Sequence, residues 1–140
     1  MSISVCMATY NGEQYITEQL TSILQQTLPP DEVIICDDGS TDRTVELIEG
    51  FLKAHHLEGH WRLYQNQENK GYPGNFYYAM GLCTKDLVFL SDQDDYWAAD
   101  KIEKMAAQFA AREKLLCLSC KFGLVDSAGE QIHSLMNPTR

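Results

Sequence analysis

The sequence predicts an α/β fold with a doubly wound, mostly parallel sheet, and three observations carry that expectation. Short apolar, β-rich runs alternate with amphipathic stretches of helical period. The turn formers Gly, Pro, Asp, Asn and Ser collect between these runs. A chain of 140 residues, 44% hydrophobic and 22% charged, has enough apolar material for one core and too little for two.

The first run, ISVCMAT (3–9), reads as a buried strand. Ile16, Leu20, Ile23, Leu24 and Thr27 then share one helical face, with Asn11 or Gly12 placed to cap the helix and Pro29 and Pro30 to end it. EVIICDD (32–38) is the second strand. Ser40, Thr41 or Asp42 opens a second helix, whose face carries Val45, Ile48, Phe51, Leu52 and His55. WRLYQN (61–66) is the third strand, followed by a glycine-punctuated loop and a helix from about Gly74 to Leu82. DLVFLSD (86–92) is the fourth strand, and Ile102, Met105 and Phe109, three and four apart, mark a fourth helix. LLCLSCKFGLV (115–125) is expected as a fifth strand, before a polar end, HSLMNPTR. Regular alternation of this kind makes βαβ units, which join parallel strands and place helices on both sheet faces.

Eleven Lys and Arg against twenty Asp and Glu give a net charge of −9, which repels a phosphate backbone and argues against nucleic acid as a partner. No apolar run approaches the roughly 18 residues of a membrane span, and the N-terminus lacks the basic and apolar regions of a secretory signal. A cytoplasmic address is expected. The five cysteines are an odd number, and Cys6, Cys36 and Cys83 lie in apolar runs, so no disulfide framework is expected. Cys117 and Cys120 form a C-x-x-C without a second pair, and are read as two core thiols on the fifth strand.

In an open parallel sheet, ligands bind beyond the carboxyl ends of the strands, where strand order reverses. The first strand runs out into Thr9-Tyr10-Asn11-Gly12, the second into Asp37-Asp38-Gly39-Ser40, and the fourth into Asp92-Gln93-Asp94-Asp95. Five carboxylates on one edge repel one another unless a cation or strong donors offset them. With no His or Cys in the acidic segment, the residue types favour Mg²⁺ or Mn²⁺. Mg²⁺ is usually held by one or two carboxylates plus substrate phosphates, so the expected partner is a metal-bound diphosphate.

Blander readings exist for each piece. Asp37 to Ser40 also suits a turn and helix cap, and one of the later acids suits the start of the fourth helix. Asp92 to Glu103 has the length of a calcium loop, with Asp92, Asp94, Asp100 and Glu103 at ligand positions, but Tyr96 and Trp97 occupy its middle. His55, His56 and His60 read better as a helix end with Gly59 in the turn than as a metal site. Lys70 and the loop amides near Gly71 and Gly74 are placed to approach a phosphate. Trp97, Phe109, Tyr77 and Tyr78 are most simply packing residues.

In this order and spacing, SVCMATYNG, IICDDGSTDRT, NKGYPGN and FLSDQDDYWAADKIE resemble the family 2 glycosyltransferases of GT-A fold, over about residues 3–130. Members of that family are inverting, metal-dependent and use nucleotide-diphospho-sugars. The SDQDDYW variant looks most like the rhamnosyltransferase-like branch of bacterial surface polysaccharide synthesis. The resemblance implies that Thr9, Tyr10 and Asn11 line the nucleotide pocket. It implies that Asp38 accepts the N3–H of uracil or thymine while Asp37 supports the loop, and that Lys70 and Gly71 pass near the nucleotide. Asp92 and Asp94 form the D-x-D pair, Asp92 towards ribose and metal and Asp94 as a direct metal ligand, with Asp95 beside the donor sugar. A UDP- or dTDP-sugar donor, a saccharide or lipid-linked acceptor and a divalent metal, Mn²⁺ or Mg²⁺, follow. A lipid-linked acceptor extends the expected address to the inner face of the membrane.

Two departures are local: Ala8 and Ala99 stand where the family often has proline. The third is larger. The family's catalytic base lies well downstream, in the acceptor-binding half, and is expected beyond Arg140. Residues 1–140 are therefore expected to be the nucleotide-sugar-binding part of the domain, with the acceptor-binding half absent. Two other readings stay open at this stage: a non-catalytic nucleotide-binding or assembly module, and a receiver-like domain with an acidic Mg²⁺ pocket. The position of the paired acids argues against the second.

Overall fold

Four short strands, β1 (Ile3–Thr9), β2 (Glu32–Asp37), β3 (Trp61–Gln65) and β4 (Leu87–Ser91), pair in parallel in the order β3-β2-β1-β4. The computed structural model describes residues 1–126 and 128–132. Each parallel connection carries a helix: α1 (Ile16–Leu24), α2 (Thr44–Ala54) and α3 (Tyr72–Leu82), with α4 (Lys101–Ala111) after β4. A two-residue hairpin of β5 (Leu124–Val125) and β6 (Gln131–Ile132) follows. The expected α/β architecture is the observed one.

Strand alternation divides the core between the two faces. Ile3, Val5 and Met7 of β1 and Val33 and Ile35 of β2 share a buried cluster with Leu20 and Ile23 of α1, Ile48 and Phe51 of α2, Trp97, and Ile102 of α4. On the opposite face, Cys6, Ile34 and Cys36 pack under Ala79 of α3. Cutting back a wholly buried residue of the larger cluster, such as Leu20 or Ile23, to alanine costs about 2–5 kcal/mol. Chain direction from β1 runs to β2 and β3 on one side and returns to β4 on the other, so strand order reverses between β1 and β4. The carboxyl ends of these two strands therefore splay apart into a crevice.

Several boundaries differ from the sequence expectation. α1 starts at Ile16 and not at Asn11 or Gly12, because the Gly12 carbonyl accepts the N–H groups of Tyr15 and Ile16 in a preliminary turn. Asn11 has left-handed backbone (φ 46°), and its side chain accepts from Thr41 N–H at 2.8 Å. α1 ends at Leu24, before Pro29 and Pro30. Asp42 does serve α2, accepting the Thr44 N–H at 2.9 Å. α3 begins two residues early, at Tyr72, since Pro73 sits in the first turn, where its missing N–H has no intrahelical partner to lose.

The fifth strand is the main correction. Residues 115–123 have no regular structure, and only Leu124 and Val125 pair, with β6. Leu116 is 93% and Phe122 87% exposed, and Cys117 and Cys120 are exposed thiols rather than core ones. An apolar run becomes a strand only where a ladder takes its N–H and C=O groups, and residues 115–123 pair with neither open edge of the sheet, β3 or β4. The uncovered surface continues on the outer sheet: α3 packs mainly on β1 and β2, leaving Val88 and Leu90 of β4 exposed. Among the described residues no helix is long and apolar enough to cross a membrane.

Candidate functional site

The crevice between the ends of β1 and β4 is a cavity of about 460 Å³, lined by Thr9, Tyr10, Asp38, Gly71, Tyr72, Asn75, Asp92, Gln93 and Asp94 among others. Its acids fall into two groups by their partners. Asp37, at the end of β2, accepts from Thr9 Oγ1 at 2.7 Å, Ser40 N–H at 2.9 Å, Gly39 N–H at 3.2 Å and the Ser40 hydroxyl. It is buried and fully engaged, so it shapes the turn, in which Gly39 takes φ 87°.

Asp38 is 5% exposed and faces the cavity. Its Oδ1 accepts from Lys70 N–H at 2.7 Å and Asn66 Nδ2 at 2.9 Å, and its Oδ2 accepts from Gly71 N–H at 3.0 Å. A carboxylate offers about four lone-pair positions, so one acceptor position remains, on Oδ2. A relay holds this arrangement: Asn66 Nδ2 also donates to Asn75 Oδ1 at 2.8 Å, and Asn75 Nδ2 donates to the Cys36 carbonyl at 2.8 Å. Gly71 is at φ 75°, a conformation that favours glycine and aims its N–H at Asp38. Lys70 contributes its backbone; its ammonium lies over the Tyr78 ring at 4.4 Å, in a neighbouring polar groove.

The second group has far fewer donors. Asp92, Asp94 and Asp95 each bring a carboxylate oxygen within 4.8 Å of the others. Among the described residues only the Tyr72 hydroxyl reaches them, donating to Asp92 Oδ1 at 3.4 Å. Burial pushes the Asp92 carboxyl above the ordinary range, the Asp95 and Asp94 charges add to the push, and the Tyr72 hydroxyl opposes it. Three clustered oxygen ligands without His or Cys suit a hard divalent ion such as Mg²⁺ or Mn²⁺. The alternative calcium loop does not assemble, because Asp100 pairs with Lys104 at 2.7 Å and Glu103 accepts from Thr27 at 2.8 Å.

Of the residues singled out from sequence, the fold brings Thr9, Tyr10, Asp38, Gly71, Asp92 and Asp94 to one cavity, with Asp37 directly behind it. Asn11, Asp95 and the Lys70 side chain lie outside its lining, and His55, His56 and His60 are exposed in the turn between the end of α2 and β3. Gln93, Asn66, Asn75 and Tyr72 were not singled out individually. Asn75 and Tyr72 lie inside the NKGYPGN segment, and Asn66 at the end of β3, where strand-end logic points.

Residues 4–137 match the glycosyl transferase family 2 domain. The chain is 31% identical over 136 residues to chondroitin synthase of Escherichia coli, covering 96% of this chain and 19% of that protein. The crystal structure of Staphylococcus aureus TarS 1–349 in complex with UDP superposes with a TM-score of 0.70 at 32% identity, over 81% of this chain and 33% of that one. TarS is a poly(ribitol-phosphate) β-N-acetylglucosaminyltransferase. The mannosyltransferase PcManGT of Pyrobaculum calidifontis, solved with GDP-Man and Mn²⁺, superposes with a TM-score of 0.71 at 28% identity, over 77% of this chain and 32% of that one. This chain therefore spans between 19% and 33% of the length of these relatives. The sheet and its helices are those of the GT-A fold, and with the family match running over nearly all of its length, the chain belongs to glycosyl transferase family 2.

Proposed function

We propose that residues 1–140 form the nucleotide-sugar-binding part of an inverting glycosyltransferase. The donor is a UDP- or dTDP-sugar with Mn²⁺ or Mg²⁺, and the acceptor a saccharide or lipid-linked intermediate of a bacterial surface polysaccharide. The observation that carries this reading is the pairing, in one cavity, of an acceptor position on Asp38 with the under-compensated carboxylates of Asp92 and Asp94. The UDP complex of TarS and the Mn²⁺ complex of PcManGT support it. The SDQDDYW segment motivates the rhamnosyltransferase-like branch within the family.

In this reading each residue has a physical task. Asp38, a carboxylate with an acceptor position left on Oδ2, rewards the N3–H of uracil or thymine and opposes the N3 lone pair of cytosine. Thr9 keeps Asp37 oriented, and Asp37 in turn holds the loop that carries Asp38. Asp94 and Asp92 would hold the metal, with Asp95 beside them towards the donor sugar. The metal, when bound, supplies Lewis-acid polarisation of the departing diphosphate. The base that deprotonates the acceptor hydroxyl is assigned to none of the described residues.

Calorimetric titration with UDP, dTDP, CDP and GDP, each with Mn²⁺ and with chelator, tests the reading. Metal-dependent binding of UDP or dTDP in preference to CDP is expected, and Asp94→Asn should remove the metal dependence while the fold persists. A folded chain that binds these nucleotides equally with and without metal refutes the metal assignment.

A further inference from the structure

We propose that Gln93, between the two carboxylates of the D-x-D pair, is a positioning residue that fixes the metal-binding loop against the nucleotide-lining strand. The inference rests on the metal reading of Asp92 and Asp94 given above. The β1–β4 ladder has its last paired residues at Met7 and Ser91, and from Asp92 to Asp100 the chain has no regular element. The Gln93 side chain supplies the missing rung. Its Oε1 accepts the Tyr10 N–H at 2.8 Å, and its Nε2 donates to the Tyr10 carbonyl at 2.9 Å. One primary amide thus copies the two-bond exchange of an antiparallel residue pair, and an ionised carboxylate or an alkyl group cannot.

The opposite wall of the seat is Gly12. A Cβ built there would lie 2.4 Å from Gln93 Oε1 and 2.6 Å from its Cδ. Gly12 does not have positive φ, so backbone freedom does not call for glycine here; space for the Gln93 amide does. Among the described residues, the other polar side-chain links from this loop are the 3.4 Å Tyr72–Asp92 contact, the local Ser91 hydroxyl bond to the Asp92 carbonyl, the Ser22 hydroxyl that accepts Trp97 N–H, the Gln26 amide that donates to the Ala98 carbonyl at 2.7 Å, and the Lys104–Asp100 ion pair at 2.7 Å. Of these links among the described residues, only the Gln93 pair joins the acidic loop directly to the cavity-lining end of β1. Losing a group hydrogen-bonded directly to a metal ligand typically costs about 10–100-fold in metal affinity, and Gln93, which holds the ligands through the loop backbone, belongs at the lower end of that range.

The test uses the 140-residue chain, with Mn²⁺ alone followed by electron paramagnetic resonance, and UDP followed by calorimetry with Mn²⁺ and with chelator. Gln93→Ala should weaken Mn²⁺ binding by about tenfold, leave metal-free UDP affinity within about twofold, and speed hydrogen exchange at the Tyr10 amide. Gln93→Glu separates geometry from charge. It keeps the acceptor for Tyr10 N–H but sets an oxygen against the Tyr10 carbonyl, so it should also weaken Mn²⁺ binding despite the added negative charge. Gly12→Ala should be harmful alone and cost little further in the Gln93→Ala background, where the overlap is gone. Wild-type Mn²⁺ affinity in Gln93→Ala, tighter Mn²⁺ binding by Gln93→Glu, or equal loss of UDP affinity with and without metal would each overturn the proposal. Failure of the unaltered chain to bind Mn²⁺ would instead overturn the metal reading, and this proposal with it.

Discussion

Replacing Asp38 by Asn tests base recognition in a way that separates a recognition role from a buttressing one. Oδ1 of Asp38 serves two donors, Lys70 N–H and Asn66 Nδ2, while Oδ2 serves only Gly71 N–H and faces the cavity. An asparagine therefore keeps its carbonyl oxygen at the Oδ1 position and places its NH₂ at Oδ2. There the amide meets Gly71 N–H donor to donor, although Gly71 retains Asn69 Oδ1 at 3.0 Å. The fold loses about one charge-assisted hydrogen bond, about 1.5–3 kcal/mol, measurable by urea denaturation. UDP loses a bond of the same kind, and CDP, whose N3 is an acceptor, gains a neutral one of about 0.5–1.5 kcal/mol. Together these shift the UDP-to-CDP affinity ratio by roughly 30- to 2,000-fold towards CDP. Calorimetry at matched Mn²⁺ concentration reads the ratio. A folded Asp38→Asn variant whose ratio stays within about twofold of the unaltered chain, or which loses both nucleotides equally, would refute the reasoning and leave Asp38 a loop buttress.

Three further outcomes follow from the same contacts. Asn75→Ala leaves an Asn66 amide hydrogen and the Cys36 carbonyl without their partner, so urea denaturation should register a loss of about 2–4 kcal/mol, with weaker UDP binding as Asp38 loosens. Burial opposes ionisation of Glu32, but the Ser4 hydroxyl and the Thr84 N–H and hydroxyl outweigh it and hold the carboxyl below the ordinary range. A depressed folded-state pKa stabilises above the unfolded value of about 4.3 and is lost as pH falls through the folded one, so the stability gap between the unaltered chain and Glu32→Gln should close below about pH 4. Alkylation of the native chain should modify Cys117 and Cys120 quickly and spare Cys6 and Cys36, both buried, the latter pushed up to about 12 by burial and the neighbouring Cys83. Fast labelling of Cys6 or Cys36 by mass spectrometry would contradict the core described here.

Local pattern carried the sheet because β1 and β2 are buried on both faces and read as unbroken apolar runs, and the helices because α1, α2 and α4 each show one apolar stripe. LLCLSC has the same local pattern as β2 and fails as a strand, since pairing depends on what lies beside it, which composition does not record. The acids at the strand ends were legible for the same reason as the sheet: βαβ topology collects carboxyl ends on one edge. Their division into satisfied and unsatisfied groups was not. Asp37 and Asp38 are adjacent and chemically identical, yet Asp37 is filled by two N–H groups and two hydroxyls while Asp38 keeps an acceptor position towards the cavity, a difference fixed by residues up to 33 positions away. Gln93 was invisible for a related reason. A glutamine between acids looks like a spacer until the backbone it pairs with, 83 residues earlier, is in place.

The same hydrogen bonds decide how a diphosphate would be held. Glycine-containing turns at strand ends often bind phosphate through backbone N–H groups, and the Tyr10-Asn11-Gly12 turn looks suited to that. Its amides are already engaged: Tyr10 N–H goes to Gln93, Asn11 N–H to Ser40 Oγ at 2.9 Å and Gly12 N–H to Thr44 Oγ1 at 2.8 Å. Lys70, in the loop beside the cavity, lies over Tyr78. With those donors committed, and Asp92 and Asp94 lining the cavity with Asp95 beside them, a bare diphosphate would meet net repulsion. In the proposed function, the attraction must therefore come from the divalent ion, which reverses the local sign. Nucleotide affinity should then depend on metal more steeply for UDP than for uridine, whose base reaches the same Asp38 without bringing phosphate charge. Equal metal dependence for the two, measured by calorimetry, would place the ion's effect on the fold of the acidic loop rather than on the diphosphate.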